Sequence, residues 1–92
     1  MSLRRIRRAV REERYELTAH TIEEMDEDDL TEADVRDVLL RGHVVRELTD
    51  DPRGMRFVVR SKPRGRGHAV EVVCRFLPSG RLRIITVYVM EE

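Results

Sequence analysis

The spacing of apolar residues changes once along the chain, at Gly42. Before it, apolar side chains recur every three or four positions; after it they alternate. Leu3, Ile6, Val10 and Leu17 are separated by Arg4, Arg5, Arg7, Arg8 and Arg11, which predicts an amphipathic helix from about Ser2 to Glu13 with a basic outer face. Such a face suits nucleic acid or an acidic partner, and equally a solvated surface. Thr18 is placed to cap a second helix, Ala19 to about Asp28, containing His20, Ile22 and Met25. Its run from Glu23 to Asp29 is so acidic that the helix is expected to be short and frayed unless arginines of the first helix neutralise it. Thr31 and Asp34 form a capping-box pattern for a third helix that ends near Leu40, before Gly42.

After Gly42 the period of two predicts four strands: Val44–Leu48, Met55–Arg60, His68–Leu77 and Leu82–Met90. Turn chemistry separates them at Asp50–Gly54, Lys62–Gly67 and Pro78–Gly80. Met55, Phe57, Val59, Val70, Val72, Cys74, Phe76, Ile85, Val87 and Val89 are expected to face a core. Arg56, Arg60, Glu71, Arg75, Thr86 and Tyr88, interleaved with Val58, Val73 and Ile84, then share the other face. The expected fold is α+β: about three N-terminal helices on one face of a four-stranded antiparallel sheet, in one domain over residues 1–92.

Composition adds limits. Only 4% of residues are aromatic, so the core rests on Val, Leu, Ile and Met. One cysteine, Cys74, rules out an internal disulfide framework and fits a reducing cytoplasm; burial should make it inert. No apolar run reaches the ~20 residues of a membrane span, so no membrane partner is expected. No histidine pair has metal-ligand spacing and no Gly-rich phosphate loop is present, so neither metal nor cofactor is expected. The net charge of zero conceals segregation: residues 1–15 balance at +4, residues 16–37 at −9 and residues 38–92 at +5. Three guanidinium groups, a hydroxyl and a phenol on one sheet face resemble a phosphate-binding surface, because arginine offers paired donors to phosphate. A solvated face laced by weak salt bridges has the same pattern.

The order Tyr15-x-x-Thr18-x-His20, then Met25, Gly42-x-Val44, Asp50-Asp51, Gly54-x-Arg56 and Ile84-Ile85-Thr86-Val87-Tyr88 resembles DUF4258, a small bacterial and archaeal domain family of unknown function. More remotely it is similar to the RelE and MqsR group of toxin ribonucleases. The resemblance spans about residues 10–90. It implies a RelE-like order of helices and antiparallel strands, and a cleft lined by His20, Arg56, Thr86 and Tyr88. For the wider toxin group it implies metal-independent RNA cleavage and often a cognate antitoxin covering the site. His20 would move a proton, Tyr88 would complement it, Arg56 and Arg75 would steady the phosphorane, and Thr86 would hold a phosphate or orient His20. Arg60, Lys62, Arg64 and Arg66 would bind RNA backbone. Related sequences usually read H-A-x-x-R-M-x-x-R-G; here Glu24 and Asp28 replace the two arginines and Asp29 the glycine. Carboxylates there repel RNA, so a non-catalytic protein-binding module or degenerate toxin on the same scaffold is the alternative, and a homodimer fits either.

Overall fold

Two threonines start helices by accepting the backbone N–H groups that a first turn leaves unpaired. The computed structural model describes residues 2–91, so Met1 and Glu92 lie outside the described residues. Its helices are α1 (Ser2–Arg11), α2 (Ala19–Glu27) and α3 (Glu32–Arg41). The Thr18 hydroxyl accepts from the Thr21 N–H; at α3 the Thr31 hydroxyl and the Asp34 carboxylate complete a capping box. Gly42 follows α3 with an ordinary negative φ, so glycine is required there by space. A Cβ would lie 2.5 Å from the Val38 carbonyl oxygen and 2.6 Å from that of Arg60.

The strands are β1 (Tyr15–Leu17), β2 (His43–Leu48), β3 (Arg56–Ser61), β4 (Val70–Phe76) and β5 (Leu82–Val89). They form one sheet in the order β1-β5-β4-β3-β2, with β1 parallel to β5 and the other pairs antiparallel. The class is α+β as expected, but the sheet is five-stranded and mixed. Leu17 therefore does not extend the first helix, which stops at Arg11; Glu13 turns the chain with φ 58°. Three residues are too few to display a period, so β1 is silent in the pattern. Side chains hold it: the Tyr15 hydroxyl donates to Glu32 and accepts from Arg36 at 2.9 Å.

The helices close one face of the sheet. Ile6, Ala9 and Val10 of α1, Met25 of α2 and Val35, Val38 and Leu39 of α3 meet Phe57, Val59, Val70, Val72, Cys74, Leu82, Ile84 and Val87 in a single core. A bulge corrects the expected facing of the last strand. Val73 pairs with Thr86 but Cys74 pairs with Ile84, so Ile85 is the extra residue. Ile84, expected outside, is fully buried, whereas Ile85, expected in the core, is only half-buried. Met55, also expected inward, precedes β3 and is 39% exposed. A second irregularity lies between Val44 and Arg46 and turns Arg46 onto the outer face, opposite Val58.

The acidic α2 is a complete nine-residue helix, and its stabilisation does not come from α1. Among the described residues Glu23, Asp26 and Glu27 have no arginine partner, and the only ion pair of the helix is internal, His20 with Glu24. Instead α2 caps the edge of β5 beyond β1. Thr18 and Thr21 hydroxyls donate to the Ile85 and Ile84 carbonyls at 3.1 and 2.9 Å, and Glu24 accepts the Val87 N–H at 3.0 Å. The bonds to the Ile85 carbonyl and the Val87 N–H satisfy groups that an edge strand would otherwise expose, and the Ile84 carbonyl also accepts the Thr18 N–H at 3.2 Å.

Candidate functional site

The outer face of the sheet is where alternation collects the polar side chains of β3, β4 and β5, and there they sort into three groups. Glu71 stands near the start of β4, between Val70 and Val72, and is fully buried. One of its oxygens accepts both Arg60 Nε at 2.8 Å and Arg60 Nη2 at 2.6 Å. The other accepts the Tyr88 hydroxyl at 2.5 Å and Arg46 Nη2 at 3.1 Å, and Arg46 also donates to the Tyr88 oxygen at 3.1 Å. Burial pushes the Glu71 carboxyl up, but the Tyr88 and Arg60 hydrogen bonds and the two positive charges outweigh it and hold the carboxyl below its usual range. Burial and the bond to Glu71 push the Tyr88 phenol up. The side chains of Arg46 and Arg60 remain 48% and 43% exposed, so both present free N–H donors outward from a fixed base.

The second group is centred on Asp51, in the β2–β3 turn. Its backbone bond from Arg53 and the surrounding guanidinium groups of Arg53 and Arg56 hold its carboxyl low, against the effect of burial. Arg56 and Arg75, cross-strand neighbours, both point to it at 3.6 Å, and Arg56 also reaches Asp50 at 3.2 Å. The Arg75 side chain is 6% exposed and is consumed by this interaction. Arg56 and Arg75 are thus committed to Asp51, not to His20 or Tyr88.

The third group joins α2 to β5. Thr86 donates its hydroxyl to Glu24, and the other Glu24 oxygen lies 3.4 Å from His20 Nε2. His20 is well exposed at the rim. Among the expected site residues, then, His20 and Thr86 meet through Glu24, Tyr88 and Arg60 meet at Glu71, and Arg56 and Arg75 form their own cluster. The basic tip is tied down rather than free. The Arg64 N–H donates to Asp37 at 3.0 Å and Arg66 pairs with Asp34 at 2.6 Å; the Lys62 ammonium and Arg64 guanidinium have no acidic partner among the described residues.

Arg46 was not among the expected site residues, because the irregularity in β2 displaced it from a simple alternation. A carboxylate set among valines in a strand was the signal for Glu71 as the organiser. Cys74 is buried in the core and its thiol is pushed up to about 12, which leaves no thiolate for chemistry. Among the described residues no cluster of three or more His, Cys, Asp or Glu side chains is placed to hold a metal ion, and no helix is long and apolar enough to cross a membrane.

Comparison with known proteins bears on this scaffold at one level. No curated protein and no solved structure gives a significant match to the chain. The profile of the family described as Domain of unknown function (DUF4258) matches residues 17–89, from the end of β1 to the end of β5, and the chain belongs to that family.

Proposed function

We propose that the outer sheet face binds RNA and cleaves it without a metal ion, in the manner of the RelE- and MqsR-like toxin ribonucleases that its motifs remotely resemble, in the cytoplasm. The reading rests on one observation: a fully buried carboxylate, Glu71, holds two half-exposed guanidinium groups and a phenol on the face that also bears Thr86. A buried charge is costly unless paired, and arginines so fixed are preorganised for a phosphate. Arg46 and Arg60 therefore replace Arg56 and Arg75 as the phosphate clamp. His20, steadied by Glu24, takes the proton of the ribose 2′-hydroxyl as its oxygen bonds to phosphorus. The bond from phosphorus to the 5′-oxygen breaks, and that oxygen takes a proton from the imidazolium or from water. Tyr88, with its proton engaged by Glu71 and its phenol pushed up, positions the phosphate and donates no proton in this scheme.

The test is incubation of labelled RNA with the protein in EDTA. Wild type is expected to cut, His20→Ala to bind without cutting, and Arg46→Gln with Arg60→Gln to lose most of the binding. RNA left intact by wild type overturns cleavage. A second reading, a non-catalytic module for a basic protein partner such as an antitoxin, draws on a different observation. Glu24 occupies the Thr86 hydroxyl, and the exposed carboxylates Glu23, Asp26 and Glu27 have no cationic partner among the described residues. It predicts neither RNA binding nor cleavage by wild type.

A further inference from the structure

We propose that a pocket of about 140 Å³ between α1 and the β4–β5 turn binds a backbone phosphate of RNA, at a second site separate from the Glu71 face. The inference deepens the RNA reading and rests on it. Arg5, Arg8 and Arg14 line the pocket with Phe76 and Gly80. Burial of Ile6, Ala9 and Val10 against the core fixes the rotation of α1 and so directs Arg5 and Arg8 to this side. The Arg5 guanidinium lies over the Phe76 ring, 4.0 Å from its centre, and has no carboxylate partner among the described residues. Arg8 and Arg14 share one carboxylate, Glu12, at 3.3 and 2.9 Å. Three guanidinium groups therefore face a single acid, which leaves the pocket two positive charges in excess. Gly80 forms this wall at φ +91°, a backbone conformation that favours glycine.

The chemistry favours RNA over other anions. Guanidinium pairs match phosphate oxygens, and a guanidinium plane supported by an aromatic ring can stack an unpaired base. A membrane surface would also need an apolar side chain to insert. The large exposed apolar residues, Ile22, Val45 and Met55, all lie elsewhere. The pocket is independent of the outer face: Phe76 is five residues from Glu71 along β4, about 17 Å at the rise of a strand, and packs against the core while Glu71 does not. Arg5, Arg8 and Arg14 also precede the family match, which begins at residue 17.

The deciding experiment measures binding of a short labelled single-stranded RNA across a salt series. Arg5→Gln with Arg8→Gln should reduce the slope of log affinity against log salt by about 0.7, the value for one phosphate no longer neutralised. Because weaker binding can have trivial causes, Glu12→Gln supplies a gain: freeing Arg8 and Arg14 should tighten binding. An unchanged slope in the first variant together with unchanged affinity in the second overturns the site, even if Arg46→Gln with Arg60→Gln abolishes binding and so upholds the outer face. The reverse pattern, with the α1 variant impaired and the outer-face variant normal, upholds this pocket and overturns the phosphate clamp. Binding of wild type to anionic phospholipid vesicles but not to RNA overturns both.

Discussion

At one end of the outer face Glu71 gathers Arg46, Arg60 and Tyr88, and at the other Asp51 gathers Arg53, Arg56 and Arg75. The composition of the two groups is similar, but their layering differs. Glu71 lies beneath its arginines, fully buried, and holds their heads at the surface. Asp51 comes from a turn and takes Arg75 as partner with both side chains nearly buried, 7% and 6% exposed, so there acid and cation are submerged together. An arginine's usefulness to a polyanion depends on whether it is submerged along with its carboxylate. Arg46 and Arg60 have their charge orientation fixed and their outer N–H groups open, whereas the buried Arg75 guanidinium has little surface to offer. Counting arginines on a sheet face therefore overstates the surface available to RNA.

The difference predicts unequal losses on removing each carboxylate. Asp51→Ala strands Arg75 as an uncompensated buried cation and is expected to cost about 3–5 kcal/mol in urea-induced unfolding. A loss under about 1 kcal/mol would show that Arg75 reaches water readily, and the contrast between the clusters would collapse.

Glu71→Gln should cost less, about 1–3 kcal/mol, because Arg46 and Arg60 are half-exposed and can turn to solvent. Its signature is pH dependence. The Glu71 carboxyl is depressed in the folded protein, so its stabilisation is present above the unfolded value of about 4.3 and is lost as pH falls through the lower folded value. Unfolding measured from neutral to acid pH should show a shallower acid loss in Glu71→Gln than in wild type. Equal acid limbs would mean that the arginines, rather than the proton on Glu71, set the stability of this face.

What the sequence disclosed about these clusters followed its periodicity, and what it hid followed departures from it. The three helices, their threonine caps and the core positions Phe57, Val59, Val72 and Cys74 repeat at regular spacings and are readable directly. The bulge at Ile85 leaves no mark in composition, since Ile84 and Ile85 are the same residue type; only pairing to β4 decides which is inside. Asp51 is distant in space from its strand-borne partners until the β2–β3 turn folds back, so a local reading assigns it to a turn and nothing more. Glu24 is the least readable. The resemblance implies an arginine where this chain has a carboxylate, and the role of that carboxylate as acceptor for the Val87 N–H depends on α2 lying along an open strand edge. A guanidinium has no acceptor to offer there, so the exchange alters how the edge is closed as well as the local charge. Asp29 has φ 55°, a backbone region glycine enters freely, which fits the glycine that the resemblance implies at that position.

The smallest expected effect separates the roles of the two oxygens of Glu71. One serves Arg60 alone, while the other is shared by Tyr88 and Arg46. Tyr88→Phe leaves the shared oxygen with Arg46 as a donor, so the variant should lose only about 0.5–1.5 kcal/mol. Burial and the Glu71 bond raise the phenol's value in the folded state, so the stabilisation from its proton is complete below the unfolded value of about 10 and is lost as pH rises through the higher folded value. The stability gap between wild type and Tyr88→Phe should therefore be constant near neutrality and narrow at strongly alkaline pH. No gap at neutral pH would mean that Arg46 alone satisfies that oxygen. The Glu71 group would then be a two-arginine clamp on one carboxylate, closer in kind to the Asp51 group than its burial suggests, with Tyr88 free to turn toward a ligand.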